Sequence, residues 1–265
     1  MKHFQCLQGS EAWLRARMGR PTASEFERLI QPKKLEPTKS ETRRNYAIFL
    51  LTELILDYPL SGVTTAAMNH GTSYEENARS AYEMLIGQEV EMAGFCTNDA
   101  ETYGASPDAF VGEDGLAEFK APFKPEIHVE YMMEPKSLES EYMIQTQGEI
   151  FVCERSWVDL VSYHSVLPMV RVRVEPIKNV QDKLSIAVHS FCAEFSDLVD
   201  RAIELGYLAK RPVPPTVWFD ESFKRGRRFD ISDSEMEKIW AKEGISDADV
   251  DDLIRAGAIN PGGRG

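Results

Sequence analysis

The sequence lacks the patterns that mark several common protein classes. Its four cysteines, Cys6, Cys96, Cys153 and Cys192, are far apart and none belongs to a C-x-x-C pair. A structural zinc site, an iron–sulfur cluster and a secreted disulfide framework are therefore not indicated, and buried reduced thiols are expected. No apolar run approaches the roughly 20 residues of a membrane span, and the N-terminus has no signal-peptide core. We expect a cytoplasmic protein without a membrane partner.

Positive charge is also scarce, and this limits the kinds of partner. The net charge is −13, with 30 Lys and Arg against 43 Asp and Glu, which excludes a protein that coats nucleic acid through general basicity. The imbalance is uneven, because residues 1–50 contain ten basic and five acidic side chains. A basic N-terminal part can present a local groove for phosphate on an acidic body whose clustered carboxylates hold cations.

The order of predicted elements indicates an α+β fold. Residues 115–121 and their neighbours form short alternating segments, which predict strands of a central mixed sheet, and helical patterns precede and follow them. The predicted helices are 10–18, 22–30 (opened by the capping box Thr22-Ala-Ser-Glu25), 41–57, 71–86, 138–153 and 178–207. The predicted strands are 89–97, 101–111, 115–121, 156–164 and 169–175.

A composition shift after Arg211 predicts a main domain at 1–211 and an acidic appendage at 212–265. Ser232 and Ser246 are placed to cap two short helices, and the end is expected to be disordered. Residues 230–252 contain nine acidic residues and only two lysines. This excess of negative charge disfavours direct DNA binding by the segment. Apolar positions at helical spacing leave three docking surfaces open: another subunit, a partner protein or the main domain itself.

The pattern that carries chemistry is S-P-D, ending at Asp108, followed by E-F-K, beginning at Glu118. Glu118 and Lys120 are two apart on a predicted strand and so share a face, and the turn 112–115 returns the chain toward Asp108. Two such carboxylates repel each other unless a cation lies between them, and Mg²⁺ suits oxygen ligands. Lys120 can then position a water molecule or stabilise charge on a phosphate. The plain alternative is a surface hairpin with a single Glu–Lys contact.

Taken together, four motifs resemble the lambda-exonuclease and YqaJ-type viral recombinase nucleases of the PD-(D/E)xK superfamily. The resemblance covers roughly residues 10–207, and its motifs are AWLRARMGRPTASE (12–25), GTSYEENARSAYE (71–83), GLAEFKAPF (115–123) and YMIQTQGEIF (142–151). It implies a restriction-endonuclease-like core. Ala109, where the family often has glycine, and the segment after about residue 212 depart from the pattern.

The resemblance assigns roles to the catalytic motif and its neighbours. It implies that Asp108, Glu118 and the Phe119 carbonyl bind metal, with Glu75 serving a second metal directly or through water. Glu76 is the competing residue, and an ion pair with Arg79 is the plain alternative for Glu75. Lys120 becomes the catalytic lysine, and Gln145 orients the site. The implied cofactor is Mg²⁺, with Mn²⁺ as a substitute.

The resemblance also implies a DNA-end site. Arg17, Ser24 and Ser106 match positions that bind a terminal 5′-phosphate, which suits the forked donors of arginine and the hydroxyls of serine. Met68 matches an apolar wedge at the duplex end, and Gln147 is the second glutamine of a Q-x-Q motif. The plain alternatives are a surface arginine for Arg17, a helix-start serine for Ser24 and a turn serine for Ser106. For Met68 the alternative is a buried methionine, and for Gln147 it is a polar helix face.

The expected activity is that of a Mg²⁺-dependent 5′→3′ exonuclease that digests linear duplex DNA from its ends, for phage-type recombination by single-strand annealing. The implied partners are double-stranded DNA ends, two further copies in a trimeric ring, and a single-strand annealing protein. If the protein is phage-encoded, its location is the host cytoplasm. Two alternatives stay open: a structure-specific or endonucleolytic DNase, and a non-catalytic DNA-end-binding protein.

Overall fold

The computed structural model describes residues 1–38, 41–60 and 66–209, with side chains from Tyr74 onward in the last range. The predicted appendage, 212–265, lies outside these residues. Within them, no helix combines the length and the apolar character needed to cross a membrane.

Seven α-helices and one 3-10 helix are present in the described ranges. They are α1 (Glu11–Arg17), the 3-10 helix Ala23–Arg28, α2 (Glu41–Leu56), α3 (Ala66–Ile86), α4 (Pro125–Met133), α5 (Pro135–Glu141), α6 (Met143–Cys153) and α7 (Lys178–Glu204). Ser10 caps α1 by accepting a hydrogen bond from the amide of Trp13 at 3.2 Å, as expected of a helix N-cap. The helix α4 begins with Pro125 in its first turn, where a missing N–H costs nothing.

The central sheet has five strands in the order β10-β9-β8-β7-β4. Its strands are β4 (Glu91–Met92), β7 (Ala109–Val111), β8 (Gly115–Lys120), β9 (Trp157–Ser162) and β10 (Val170–Val174). A second sheet joins β1 (Lys2–Phe4), β5 (Phe95–Thr97) and β6 (Gly104–Ala105), and β2 (Ile30–Gln31) pairs with β3 (Glu36–Pro37). The predicted α+β class with a mixed sheet flanked by helices is confirmed.

Four sequence predictions of local structure are corrected. Within the predicted helix 22–30, only Ala23–Arg28 are helical, and they form a 3-10 helix; the Thr22 hydroxyl accepts from Arg17 at 3.2 Å and does not cap it. The predicted strand 89–97 is divided at Gly94, whose backbone has φ +59°. The predicted strand 101–111 is divided before Asp108 into β6 and β7, which belong to different sheets. The helix predicted at 138–153 is two helices, and α4 was not predicted.

The strands β8 and β9 are the parallel pair of the central sheet, and α4, α5 and α6 form the crossover between them. A parallel pair needs such a connection, because no tight turn can join strands that run the same way. The main core contains Leu116, Leu160, Ile144 and Phe191. A smaller cluster, which includes Tyr82, Ala117 and Val161, contains the residues that alternate with those of the main core along β8 and β9. The sheet is thus covered on both faces.

One edge of the sheet is β10, where arginines alternate with valines. Arg173 makes two hydrogen bonds of 2.9 Å to the fully buried carboxylate of Asp159 on β9, and Arg171 approaches it to 3.4 Å. The guanidinium of Arg173 also lies over the Trp157 ring, 3.6 Å from its centroid. Tyr82 donates to the same carboxylate at 2.6 Å, so the buried charge of Asp159 is fully paired.

Gly104 joins the segment before the 3-10 helix to the strand that leads to Asp108. Its amide donates to the carbonyl of Pro21 at 3.0 Å, and it forms a parallel bridge with Thr22. A Cβ at this position would overlap the Phe95 ring and stand 2.7 Å from the carbonyl oxygen of Cys96. Only glycine therefore lets the two segments approach so closely.

We expect Gly104→Ala to destabilise the protein by about 1–3 kcal/mol, the usual cost of overpacking a buried site. Gly112→Ala is the comparison, because its added Cβ meets nothing closer than 3.7 Å and bears only the strain of φ +60°. Thermal unfolding followed by circular dichroism measures both. Equal losses in the two variants would show that close packing at Gly104 is not the cause.

Candidate active site

Asp108 stands at the start of β7, opposite the strand that carries Glu118. Its amide donates to the carbonyl of Ala117 at 3.1 Å, and its Oδ2 accepts from the amide of Phe119 at 2.6 Å. The hairpin register, with Ala109 opposite Ala117, produces this arrangement. The Asp108 carboxylate is therefore fixed beside the backbone of the Glu-Phe-Lys segment.

Glu118 and Lys120 are linked to α6 by Gln145. The Glu118 Oε1 accepts from Lys120 Nζ at 2.8 Å and from Gln145 Nε2 at 2.6 Å, while Gln145 Oε1 accepts from Lys120 Nζ at 3.1 Å. The lysine ammonium also lies 4.4 Å from the centroid of the Tyr142 ring, within cation–π distance. These contacts hold the Lys120 ammonium in one place.

Burial and mutual repulsion govern the charge of this site. Burial raises the pKa of Asp108 well above its usual range, and the charges of Glu118 and Glu75 add to the effect. Burial and Glu118 raise the pKa of Glu75 as well, with Arg79 opposing them. Burial alone would lower the pKa of Lys120, but the charge and hydrogen bond of Glu118 outweigh it and the pKa is raised. Lys120 is thus a cation at neutral pH and acts as a donor rather than a base.

Glu149 is a site residue that the sequence analysis missed. It follows Gln145 by one helical turn on α6, and its Oε1 accepts from Gln145 Nε2 at 2.8 Å. Burial and then the charge of Glu118 raise its pKa well above the usual range. The signal was present in the sequence, since positions four apart on a helix share a face.

Other predicted site residues are placed apart from the carboxylates or are only partly described. Gln147 is fully buried, and its amide bonds Glu175 and Ile177, so it holds the start of α7. Its predicted contact with DNA stays a prediction.

Met68 lies in α3, but its side chain falls outside the described part. The Phe119 ring packs against Tyr82, and the role of its carbonyl stays a prediction. Glu76, the competitor of Glu75, is exposed.

The three predicted phosphate-binding residues meet around one guanidinium. Arg17 donates to the Ser106 hydroxyl at 3.1 Å and to the Thr22 hydroxyl at 3.2 Å, and Thr22 lies 3.4 Å from the hydroxyl of Ser24. Trp13 supports the group, because its Nε1 donates to Ser106 at 2.9 Å and its ring lies 4.3 Å from Arg17. The sequence did not mark Trp13 or Thr22 as site residues, although both lie in the first of the four motifs.

Arg17, Thr22, Ser24 and Ser106 together form the Arg17 group. This group borders a cavity of about 490 Å³, whose lining also includes Arg20, Arg28 and Tyr46. In the described part of the chain, the hydrogen-bond partners of Arg17 are hydroxyls rather than carboxylates. Burial lowers the pKa of its guanidinium, which nevertheless stays charged at neutral pH. A half-buried cation held by neutral partners favours an anion from solution.

The donor set at Asp108 and Glu118 fits a hard divalent cation. The Oε2 of Glu118 is buried and has no hydrogen-bond partner among the described residues, and the charge of Glu118 contributes to the raised pKa values of Asp108 and Glu75. Within the same residues, no three His, Cys, Asp or Glu side chains already form a metal-binding cluster. Carboxylate oxygens are the ligands that such a cation prefers, so the chemistry of these side chains supports the fit.

A mixed sheet that presents an aspartate and a Glu-x-Lys pair on neighbouring strands defines the PD-(D/E)xK class of nuclease folds. The chain belongs to the family of the YqaJ-like viral recombinase domain, whose model matches residues 12–156. No curated protein matches it.

Two solved structures locate the chain further. The alkaline exonuclease LHK-Exo from Laribacter hongkongensis, also solved in complex with dAMP, is 29% identical, with a TM-score of 0.65 over 74% of this chain and 98% of that one. A phage-related exonuclease from Haemophilus somnus 129PT is 14% identical, with a TM-score of 0.55 over 69% of this chain and 96% of that one, and shows the fold alone. The family and the likeness to LHK-Exo support a nuclease.

The raised pKa of Asp108 gives a pH-dependent stability prediction. A carboxyl group whose pKa is higher in the folded state stabilises the fold below its unfolded pKa, near 3.8, and loses that contribution as the pH rises through the folded value. In chelator, we therefore expect Asp108→Asn to melt at a higher temperature than the parent at pH 8, and the gain to shrink toward pH 4. Asp182→Asn, on the exposed face of α7, is the control and should show no such trend.

Proposed function

We propose that the protein is a Mg²⁺-dependent 5′→3′ exonuclease that degrades linear double-stranded DNA from its ends. The observation that carries the proposal is the network of Asp108, Glu118, Lys120 and Gln145 at the ends of β7 and β8, with the Arg17 group beside it. The alkaline exonuclease activity named for LHK-Exo, which is similar to this chain, supports the assignment.

The carboxylates of Asp108, Glu118 and Glu75 would hold Mg²⁺, which polarises a phosphodiester and lowers the pKa of water when bound. Lys120 then donates from its ammonium to the phosphate or to the attacking water and opposes the negative charge that develops there. Gln145 keeps that ammonium and the Glu118 carboxylate at fixed positions. A preformed arrangement of this kind stabilises the transition state without reorganisation.

The proposed 5′→3′ direction comes from the family resemblance, and the short loop that joins the two parts of the site supports it. Ser106 bonds Arg17, and Asp108 follows it by two residues, a reach of at most about 7 Å. A terminal phosphate bound by Arg17, Ser24 and Ser106 would thus place the adjacent phosphodiester beside the carboxylates. This arrangement suits removal of one nucleotide at a time from a 5′-phosphorylated end.

The family resemblance extends the proposal to assembly and context. It suggests a trimeric ring around DNA, a single-strand annealing protein as partner, and a role in phage-type recombination. Digestion of a covalently closed circle tests the principal alternative, because only an endonuclease can open it.

Removal of the Glu118 carboxylate or of the Lys120 ammonium is expected to abolish hydrolysis. Glu118→Ala and Lys120→Ala should each lower kcat on linear duplex DNA in Mg²⁺ by at least about 100-fold. Lys120→Ala should still bind the cation in calorimetry, since its carboxylates are intact. The exposed neighbours Glu126→Ala and Lys124→Ala are matched controls and should retain the parental rate. Parental turnover by Glu118→Ala would show that the carboxylates were misassigned.

Loss of the Arg17 guanidinium is expected to erase the preference for phosphorylated ends. Initial rates are compared on one duplex with a 5′-phosphate and on the same duplex with a 5′-hydroxyl. Arg17→Ala should bring the ratio of the two rates close to one, because the guanidinium supplies the forked donor for the phosphate. Arg15→Ala, whose side chain pairs with Glu11 on the exposed face of α1, is the control. An unchanged ratio in Arg17→Ala means that the end is bound elsewhere.

A further inference from the structure

Glu149 is a buried carboxylate that the proposed chemistry does not require. It lies on α6 and is 1% exposed. On the same helix Ile144, Ile150 and Val152 are buried apolar residues of the main core, so an aliphatic side chain would serve packing at this position. A carboxyl group there needs another explanation.

The Glu149 side chain accepts a hydrogen bond from Gln145, and its carboxyl group also lies within hydrogen-bonding reach of Glu118. Both N–H groups of the Gln145 amide are occupied, one by Glu118 Oε1 at 2.6 Å and one by Glu149 Oε1 at 2.8 Å. With the nitrogen anchored between two carboxylates, the amide oxygen is left facing Lys120 Nζ at 3.1 Å. The amide therefore has one orientation that satisfies all three neighbours.

This arrangement is costly for the protein without its substrate. The Oε2 of Glu149 is buried and has no hydrogen-bond partner among the described residues, and Glu118, which stands nearby, has the same sign. A buried carboxyl group held close to a second carboxylate destabilises the fold. Costly groups of this kind concentrate at functional sites.

We infer that Glu149 is a positioning residue: it locks the Gln145 amide in the orientation that holds Glu118 and Lys120 for the reaction. The inference rests on the proposed function, because it assigns a task within the same site. Groups behind metal and catalytic residues orient them, and their loss typically lowers metal affinity or activity by roughly 10- to 100-fold.

Two substitutions separate the hydrogen bond from the charge. Glu149→Leu removes the acceptor and should lower kcat on linear duplex DNA roughly 10- to 100-fold with KM for DNA unchanged, since no DNA-binding group is altered. Glu149→Gln keeps an acceptor oxygen for Gln145 and should recover most of kcat. Thr146→Val on the same helix is the matched control: its hydroxyl bonds only backbone carbonyls of the preceding turn, and both kinetic constants should stay at the parental values.

A structural role and a positioning role differ in their effect on stability and on metal binding. Removing the buried charge should leave the melting temperature of metal-free Glu149→Leu at or above the parental value. Calorimetry with Mg²⁺ and no DNA should show weaker binding by Glu149→Leu than by Thr146→Val. Parental kcat in Glu149→Leu, or a lower melting temperature together with unchanged metal binding, overturns the inference.

The same experiments distinguish a failure of the proposed function from a failure of the role inferred for Glu149. If the parent protein fails to digest linear DNA in Mg²⁺, the proposed function is wrong. If the parent digests DNA, Lys120→Ala does not, and Glu149→Leu matches the parent, only the role of Glu149 is wrong.

Discussion

The site depends on holding like charges together away from water. Asp108, Glu75 and Glu149 all have pKa values raised by burial and by the charge of nearby Glu118. Such a group is unfavourable for folding, and the surrounding structure compensates with two covered sheet faces and a main core that spans several helices. One cation, Lys120, is placed among the carboxylates and fixed there by hydrogen bonds to Glu118 and Gln145. The carboxylate oxygens that are left fit the divalent cation proposed for this site.

Periodicity predicted much of the secondary structure, because long helices and alternating strands leave regular patterns. The bounds of α2, β8, β9, β10 and α7 differ from the prediction by only a few residues. The failures have local causes. At the 3-10 helix Ala23–Arg28, the hydroxyl of Thr22 accepts a hydrogen bond from Arg17 and does not cap the helix as the sequence predicted. The short strands β5 and β6 leave the central sheet at a left-handed glycine, Gly94, and at the Ser106-Pro107-Asp108 loop, and no alternation pattern records such a change of sheet.

The candidate site was predictable where its residues share one hairpin and less so where they come from distant segments. Glu118 and Lys120 follow from strand alternation, and Asp108 follows from the turn between β7 and β8. The meeting of Arg17 with Ser106 joins positions 89 apart in the chain, which only the family motifs suggested. Glu149 escaped notice because a glutamate on a helix usually faces solvent, and only the packing of α6 on the sheet shows that this one is buried.

The arginines of β10 have a consequence for the free protein in solution. A strand at a sheet edge exposes unpaired backbone groups and invites another chain to pair with it. On β10 the exposed side chains are Arg171 and Arg173, and both are drawn toward the buried Asp159 beneath them. A second sheet edge that approached would meet positive charge and would have to separate the Arg173 guanidinium from its carboxylate and from the Trp157 ring. The pairing that neutralises a buried aspartate therefore also protects this edge against aggregation.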